Sequence, residues 1–220
     1  MPPAKTPSAR PTRRLAELVA DRLEAGARLL RRFCGTPDRD GRVLILGGVR
    51  SGKSRHAEQL ISQYPAVTYV AGGLPPGDDD PEWAARVAQH RARRPAHWHT
   101  IESADLAKTL REATTPLLID CLGTWLSRVL GEVGAWDQRE GWQVRVDERL
   151  ADVVEAWAGS RVPVVAVSNE VGSGIVPPTF SGRVFRDVLG ALNSQIAARS
   201  DEVLLVVAGR ALELKENGSR

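Results

Sequence analysis

Gly47-Gly48-Val49-Arg50-Ser51-Gly52-Lys53-Ser54, arriving directly after the apolar run Val43-Leu44-Ile45-Leu46, is the stretch that decides the fold. It matches G-x-x-x-x-G-K-[ST], and its flanks supply what that motif requires, a buried strand before it and a helix over 55–63 after it. Glycines at 47, 48 and 52 open backbone conformations closed to residues with a Cβ, so that several N–H groups can converge on one phosphate. Lys53 adds a point charge near the β- and γ-phosphates, Ser54 a hydroxyl for Mg²⁺, and the helix the positive end of its dipole. The expectation is a nucleoside triphosphate, ATP or GTP, cradled by Gly47, Gly48, Val49, Arg50, Ser51, Gly52, Lys53 and Ser54.

Outward from this loop, strands alternate with helices. Strands are expected over 67–71, 117–120, 163–168 and 202–208. Helices are expected from Pro81, capped by Asp80, to the stop at Pro95, from Ser103 onward, and over 122–130, 142–157 and 183–198. Such alternation predicts an α/β fold with a mostly parallel sheet flanked by helices. No repeat of 20 to 50 residues is visible.

Residues 1–40 form a separate basic extension, with nine Lys/Arg against five Asp/Glu, whereas 41–220 carry 21 against 22. The charge therefore does not spread over the fold, and nucleic acid is not an expected partner. The first 11 residues are Pro-rich and basic, with too little apolar surface to order themselves; a helical pattern then runs through Leu15, Leu18, Val19, Leu29, Leu30 and Phe33. Cys34 and Cys121 make no C-x-x-C, the start lacks a signal-type apolar core, and no apolar run approaches the roughly 18 residues of a membrane span. The expected compartment is the cytoplasm.

Three further segments carry candidate chemistry. Leu117-Leu118-Ile119-Asp120 is an apolar strand ending in a carboxylate, read either as the Mg²⁺ partner of the phosphate loop or as an ordinary turn residue. Asp120-Cys121-Leu122-Gly123 also fits D-x-x-G, but no N-K-x-D follows, which argues against a signalling GTPase. His90 stands among Arg86, Arg91, Arg93 and Arg94, with no acidic residue between Glu82 and Glu102. Positive surroundings keep an imidazole neutral and nucleophilic and attract a triphosphate. Equally, Trp83, Val87 and His90 share one helical face, the pattern of a half-buried histidine beside a solvated arginine face. Asn169 and Glu170 leave a buried strand at its ligand-facing end, placed either to meet substrate or to satisfy their own loop.

Taken together, the 47–58 loop and helix, Glu82 through His90 to Pro95, the Asp120 strand and Ser-Asn-Glu-Val-Gly-Ser-Gly-Ile-Val-Pro at 168–177 resemble the bifunctional adenosylcobinamide kinase/adenosylcobinamide-phosphate guanylyltransferase family. The resemblance covers residues 42 to about 212 and extends to Phe185-Arg186-Asp187 and Asp201-Glu202-Val203. It implies a RecA-like P-loop NTPase fold, commonly a homotrimer. It also implies phosphorylation of adenosylcobinamide by ATP or GTP, followed by transfer of GMP from GTP through a guanylylated histidine. By the same resemblance His90 takes the nucleophile's position and Lys53 and Asp120 their phosphate-loop roles. Gly72, Gly73, Leu74, Arg91, Ala92, Arg93, Arg94 and Glu102 fall on guanine-nucleotide segments. The sequence departs from the family at Gly72-Gly73, where hydroxyl residues are more usual, and residues 1–40 have no family counterpart. The rival readings are a small-molecule kinase without guanylylation and a RecA-like module that uses nucleotide to grip nucleic acid.

Overall fold

The computed structural model describes residues 41–73 and 80–215, except for the side chains of Glu82, Trp83, Arg86, Gln89, His90 and Arg93. The expected N-terminal helix and Leu74 lie outside the described residues. The strands are β1 (Arg42–Gly47), β2 (Thr68–Ala71), β3 (His99–Glu102), β4 (Leu117–Asp120), β5 (Val164–Asn169), β6 (Glu202–Val207) and β7 (Arg210–Glu213). The helices are α1 (Lys53–Ile61), α2 (Pro81–Arg93), α3 (Leu106–Glu112), α4 (Leu122–Glu132), α5 (Trp142–Ala158) and α6 (Phe180–Ala197). Among the described residues, no helix is long and apolar enough to cross a membrane.

One seven-stranded sheet runs β3-β2-β4-β5-β1-β6-β7, parallel throughout except for the β6–β7 hairpin. Side chains alternate between its faces. Leu44 and Leu46 join the larger core with Leu117, Ile119, Trp125, Trp157 and Leu192 on one side. Val43 and Ile45 meet Ala57, Leu60 and Ile61 of α1 on the other. Central β1 and β5 are thus apolar in a continuous run, as strands covered on both faces must be.

The expected alternation is present, and two strands escaped it. β3 and β7 close opposite edges of the sheet, and their side chains are almost all exposed, so neither carries an apolar run. The helix expected from Ser103 begins at Leu106 instead. Asp105 is its cap, accepting from the Lys108 N–H at 2.9 Å, while Ser103 Oγ donates to the Asp105 carbonyl. The last helix starts earlier than expected, at Phe180, because Thr179 Oγ1 accepts from the Gly182 N–H.

Arg42 and Asp201 pin the entry of β1 to that of β6. The Asp201 carboxylate accepts from the Arg42 backbone N–H at 2.7 Å and from Nε and Nη2 at 3.0 Å each. The Arg42 guanidinium also donates to the Ala158 carbonyl at the end of α5. These bonds, led by the guanidinium, hold the Asp201 carboxyl below its usual range. A depressed carboxyl stabilises the fold fully above the unfolded-state value and loses that contribution as pH falls through the folded-state value. Asp201→Asn should therefore lower the melting temperature at neutral pH, and the wild-type and variant curves should converge in the acid range. Parallel curves across the whole range would show that Asp201 ionisation contributes nothing.

Candidate active site

The phosphate loop joins β1 to α1, and its glycines differ in what demands them. Gly47 is a packing glycine: a Cβ there would lie 2.5 Å from Ser51 Oγ and 2.6 Å from the Val206 carbonyl. Gly52, at the start of α1, has φ +95°, the left-handed region that favours glycine. Gly48, by contrast, has open space around its would-be Cβ, so its glycine is not demanded by packing. The β6–β7 turn braces the loop, with the Gly209 N–H donating to the Ser51 carbonyl at 2.8 Å. Lys53, the first residue of α1, is buried, and its ammonium arches back to donate to the Gly48 carbonyl at 3.0 Å. Ser51 Oγ is buried without a hydrogen-bond partner, an unmet polar atom inside the cradle. Val49 and Arg50 are exposed at the tip.

β5 lies between β1 and β4, with Gly47 in register with Asn169 and Asp120 with Val167. The loop and Asp120 therefore meet across the carboxyl end of β5, the edge at which open α/β sheets take ligands. Ser54 Oγ donates to Asp120 Oδ1 at 3.3 Å. A hydroxyl and a carboxylate are oxygen donors that suit Mg²⁺, which keeps several waters and takes its remaining ligands from phosphate. Among the described residues no cluster of three His, Cys, Asp or Glu competes as a metal site.

The other expected contacts gather around the end of α2 and β3. Arg91 Nη2 pairs with Glu102 Oε1 at 3.0 Å, an exposed bridge of small energetic weight. Arg91, Arg94, Trp98, Thr100 and Glu102 line a cavity of about 390 Å³. Two buried N–H donors in its walls, Arg94 Nε and Trp98 Nε1, lack protein acceptors. His90 and Ala92 lie on the same helix, α2. Gly72 and Gly73 follow β2.

A family model described as cobinamide kinase / cobinamide phosphate guanyltransferase, CobU, matches residues 43–214. The chain belongs to this family. The bifunctional adenosylcobalamin biosynthesis protein CobU of Salmonella typhimurium is 40% identical over 182 residues, spanning 79% of this chain and 99% of the relative. CobU of Escherichia coli is 37% identical over 182 residues with the same coverage. CobP of Pseudomonas aeruginosa, likewise named a bifunctional adenosylcobalamin biosynthesis protein, is 41% identical over 179 residues, 79% of this chain and 97% of its own.

In this member of the CobU family the site holds a residue that sequence reasoning missed. Tyr69 lies within the expected second strand as one more core residue, yet its hydroxyl donates to Asp120 Oδ2 at 3.1 Å. Burial, and then the Asp120 charge, push the phenol well above its ordinary value, so it remains a donor. No motif marks the contact, because 51 residues separate the two. Glu170, open to two readings in sequence, accepts from the Gly172 N–H at 2.7 Å and from Ser173 Oγ, closing its own loop. Beneath it, Ser168 Oγ donates to Asn193 Oδ1 at 2.6 Å and Asn193 Nδ2 to the Asn169 carbonyl, which fixes the end of β5. Gly72 packs on α4: a Cβ there would lie 2.6 Å from the Trp125 Cβ.

Lys53→Ala removes a cation from the loop and leaves every apolar member of both core clusters in place. A non-hydrolysable nucleoside triphosphate analogue should bind the variant roughly tenfold to a hundredfold more weakly, the range expected for a lost charge-assisted hydrogen bond. Calorimetric titration measures this. Circular dichroism should show the helix content unchanged.

Proposed function

We propose that this chain phosphorylates the aminopropanol hydroxyl of adenosylcobinamide with ATP or GTP and then transfers GMP from GTP to the product, giving adenosylcobinamide-GDP. The observation that carries the reading is the Ser54–Asp120 contact beside buried Lys53, at the carboxyl ends of β1 and β4, in a chain of the CobU family. Ser54 and Asp120 would hold Mg²⁺. When bound, it offsets negative charge on the transferring phosphoryl oxygens. Lys53 supplies a second, preorganised cation to the same oxygens, and the loop from Gly47 to Ser54 orients the triphosphate for in-line attack. The substrate hydroxyl oxygen forms the new O–P bond as the bond to the departing nucleoside diphosphate breaks, and the hydroxyl proton is released to solvent.

For the second step the nucleophile is His90. An imidazole nitrogen attacks the α-phosphorus of GTP, pyrophosphate leaves, and the GMP is held as a phosphoramidate. The phosphate of the phosphorylated corrinoid then attacks that phosphorus and frees His90. Arg91, Arg93 and Arg94, with Ala92, Glu102, Gly72, Gly73 and Leu74, form the guanine-nucleotide contacts in this reading. The cavity of about 390 Å³ lined by Arg91, Arg94, Thr100 and Glu102 supports a ligand beside them. The same proposal takes the protein as a homotrimer, by the family resemblance, and as cytoplasmic, by its cysteine usage.

Phosphoramidates are labile in acid and stable in alkali. Wild-type protein given GTP labelled at the α-phosphate should retain label that acid removes and alkali does not, as read by intact-mass spectrometry and scintillation counting. His90→Ala should retain none, yet should still phosphorylate adenosylcobinamide. Acid-labile label persisting on that variant, or vanishing on substitution of His56, His97 or His99, would move the nucleophile. The chemistry is assigned to residues 41–220, so deleting residues 1–40 should leave turnover per folded site nearly unchanged. Steady-state kinetics of the truncated protein at equal folded concentration checks this.

A further inference from the structure

Tyr69 sits where an apolar residue would serve the core equally well. It is 2% exposed and packs in the layer between the sheet and α1. A phenol buried there needs a hydrogen-bond partner, and the partner it has is Asp120. The register explains the reach. Tyr69 is paired with Leu118, and Asp120 lies two residues further along β4 on the same face. The two carboxylate oxygens are divided between two donors, Oδ2 taking the Tyr69 hydroxyl at 3.1 Å and Oδ1 the Ser54 hydroxyl at 3.3 Å. Over the face of the Tyr69 ring, the Arg94 guanidinium carbon lies 3.3 Å from the centroid, while Arg94 Nη1 donates to Thr100 Oγ1 at 3.4 Å. Arg94 directly follows α2 and is tied to it by its N–H donating to the Arg91 carbonyl. One tyrosine therefore touches both the carboxylate beside the phosphate loop and the residue that ends the His90 helix.

We propose that Tyr69 is a positioning residue with two contacts: its hydroxyl fixes the Asp120 carboxylate so that Oδ1 faces Ser54, and its ring seats Arg94, joining the metal carboxylate to the guanylylation helix. The proposal rests on the reading that Asp120 and Ser54 hold Mg²⁺. A partner that orients a metal-binding carboxylate typically changes metal affinity by roughly tenfold to a hundredfold when removed. A planar cation stacked on an aromatic face is held in one orientation, which lysine, a compact charge on a flexible stem, does not reproduce.

Tyr69→Phe keeps the ring and deletes only the hydroxyl. The dissociation constant of a non-hydrolysable GTP analogue, measured with Mg²⁺ and again in EDTA, gives the enhancement due to the metal. In the variant that enhancement should fall by roughly tenfold, with affinity in EDTA unchanged. Loss of affinity by the same factor under both conditions would mean that Tyr69 only packs, and would overturn the proposal. Asp120→Asn separates the two ideas. If it leaves the enhancement intact, Asp120 is not a metal partner and the underlying reading fails. If it abolishes the enhancement while Tyr69→Phe does not, the role of Tyr69 fails. For the ring contact, Tyr69→Leu and Arg94→Lys should each slow labelling of the protein by GTP, and the double variant should be no slower than the worse single one. Multiplying effects in the double variant would overturn the link to α2.

Discussion

Parallel pairing of β5 with both β1 and β4 is the constraint on which the site depends. It sets Gly47, Asn169 and Asp120 along one edge, so the distance between phosphate loop and carboxylate is fixed by backbone hydrogen bonds rather than by flexible side chains. The interposed strand gives Ser54 and Asp120 a gap that two short side chains can just span. Slipping β5 by one residue against β4 would exchange one apolar layer for another, but it would turn buried Ser168 away from Asn193, so that hydrogen bond also enforces the site.

Around that edge, polar groups are tied down mainly by backbone. Lys53 is held to a carbonyl of its own loop, Glu170 to an N–H of its own turn, and Asn193 to the carbonyl that ends β5. Such short-range bonds keep the loops ordered without a ligand, which reduces the entropy lost when a nucleotide arrives. Arg42 and Asp201 do the same work at the opposite ends of β1 and β6. Both ends of the central strand are thereby anchored.

What the sequence made legible follows from distance along the chain. The phosphate loop was readable because its contacts are local: glycine, lysine and serine lie within eight residues and between a strand and a helix. The central strands were readable because burial on both faces demands continuous apolar runs. The edge strands β3 and β7 were not, since exposed side chains there carry no pattern to detect. Ser103 was the obvious cap by residue type, but Asp105 stands where the first free N–H groups of α3 emerge. Tyr69 was invisible as a functional residue for a different reason. Its partner is set by register across two strands, and single-chain periodicity reports which face a side chain occupies without saying whom it meets.

Gly72 and Trp125 carry a consequence for the chain that leaves β2. The Trp125 Cβ stands where a side chain at 72 would begin, and the tryptophan is held in place by its indole N–H donating to the Ala104 carbonyl. The two positions therefore share one volume. Every residue except glycine carries that Cβ, so a side chain at 72 would fit only if the backbone after β2 and the first turn of α4 moved apart. Held this close to α4, the chain leaving β2 offers a ligand its backbone at position 72 and no side chain.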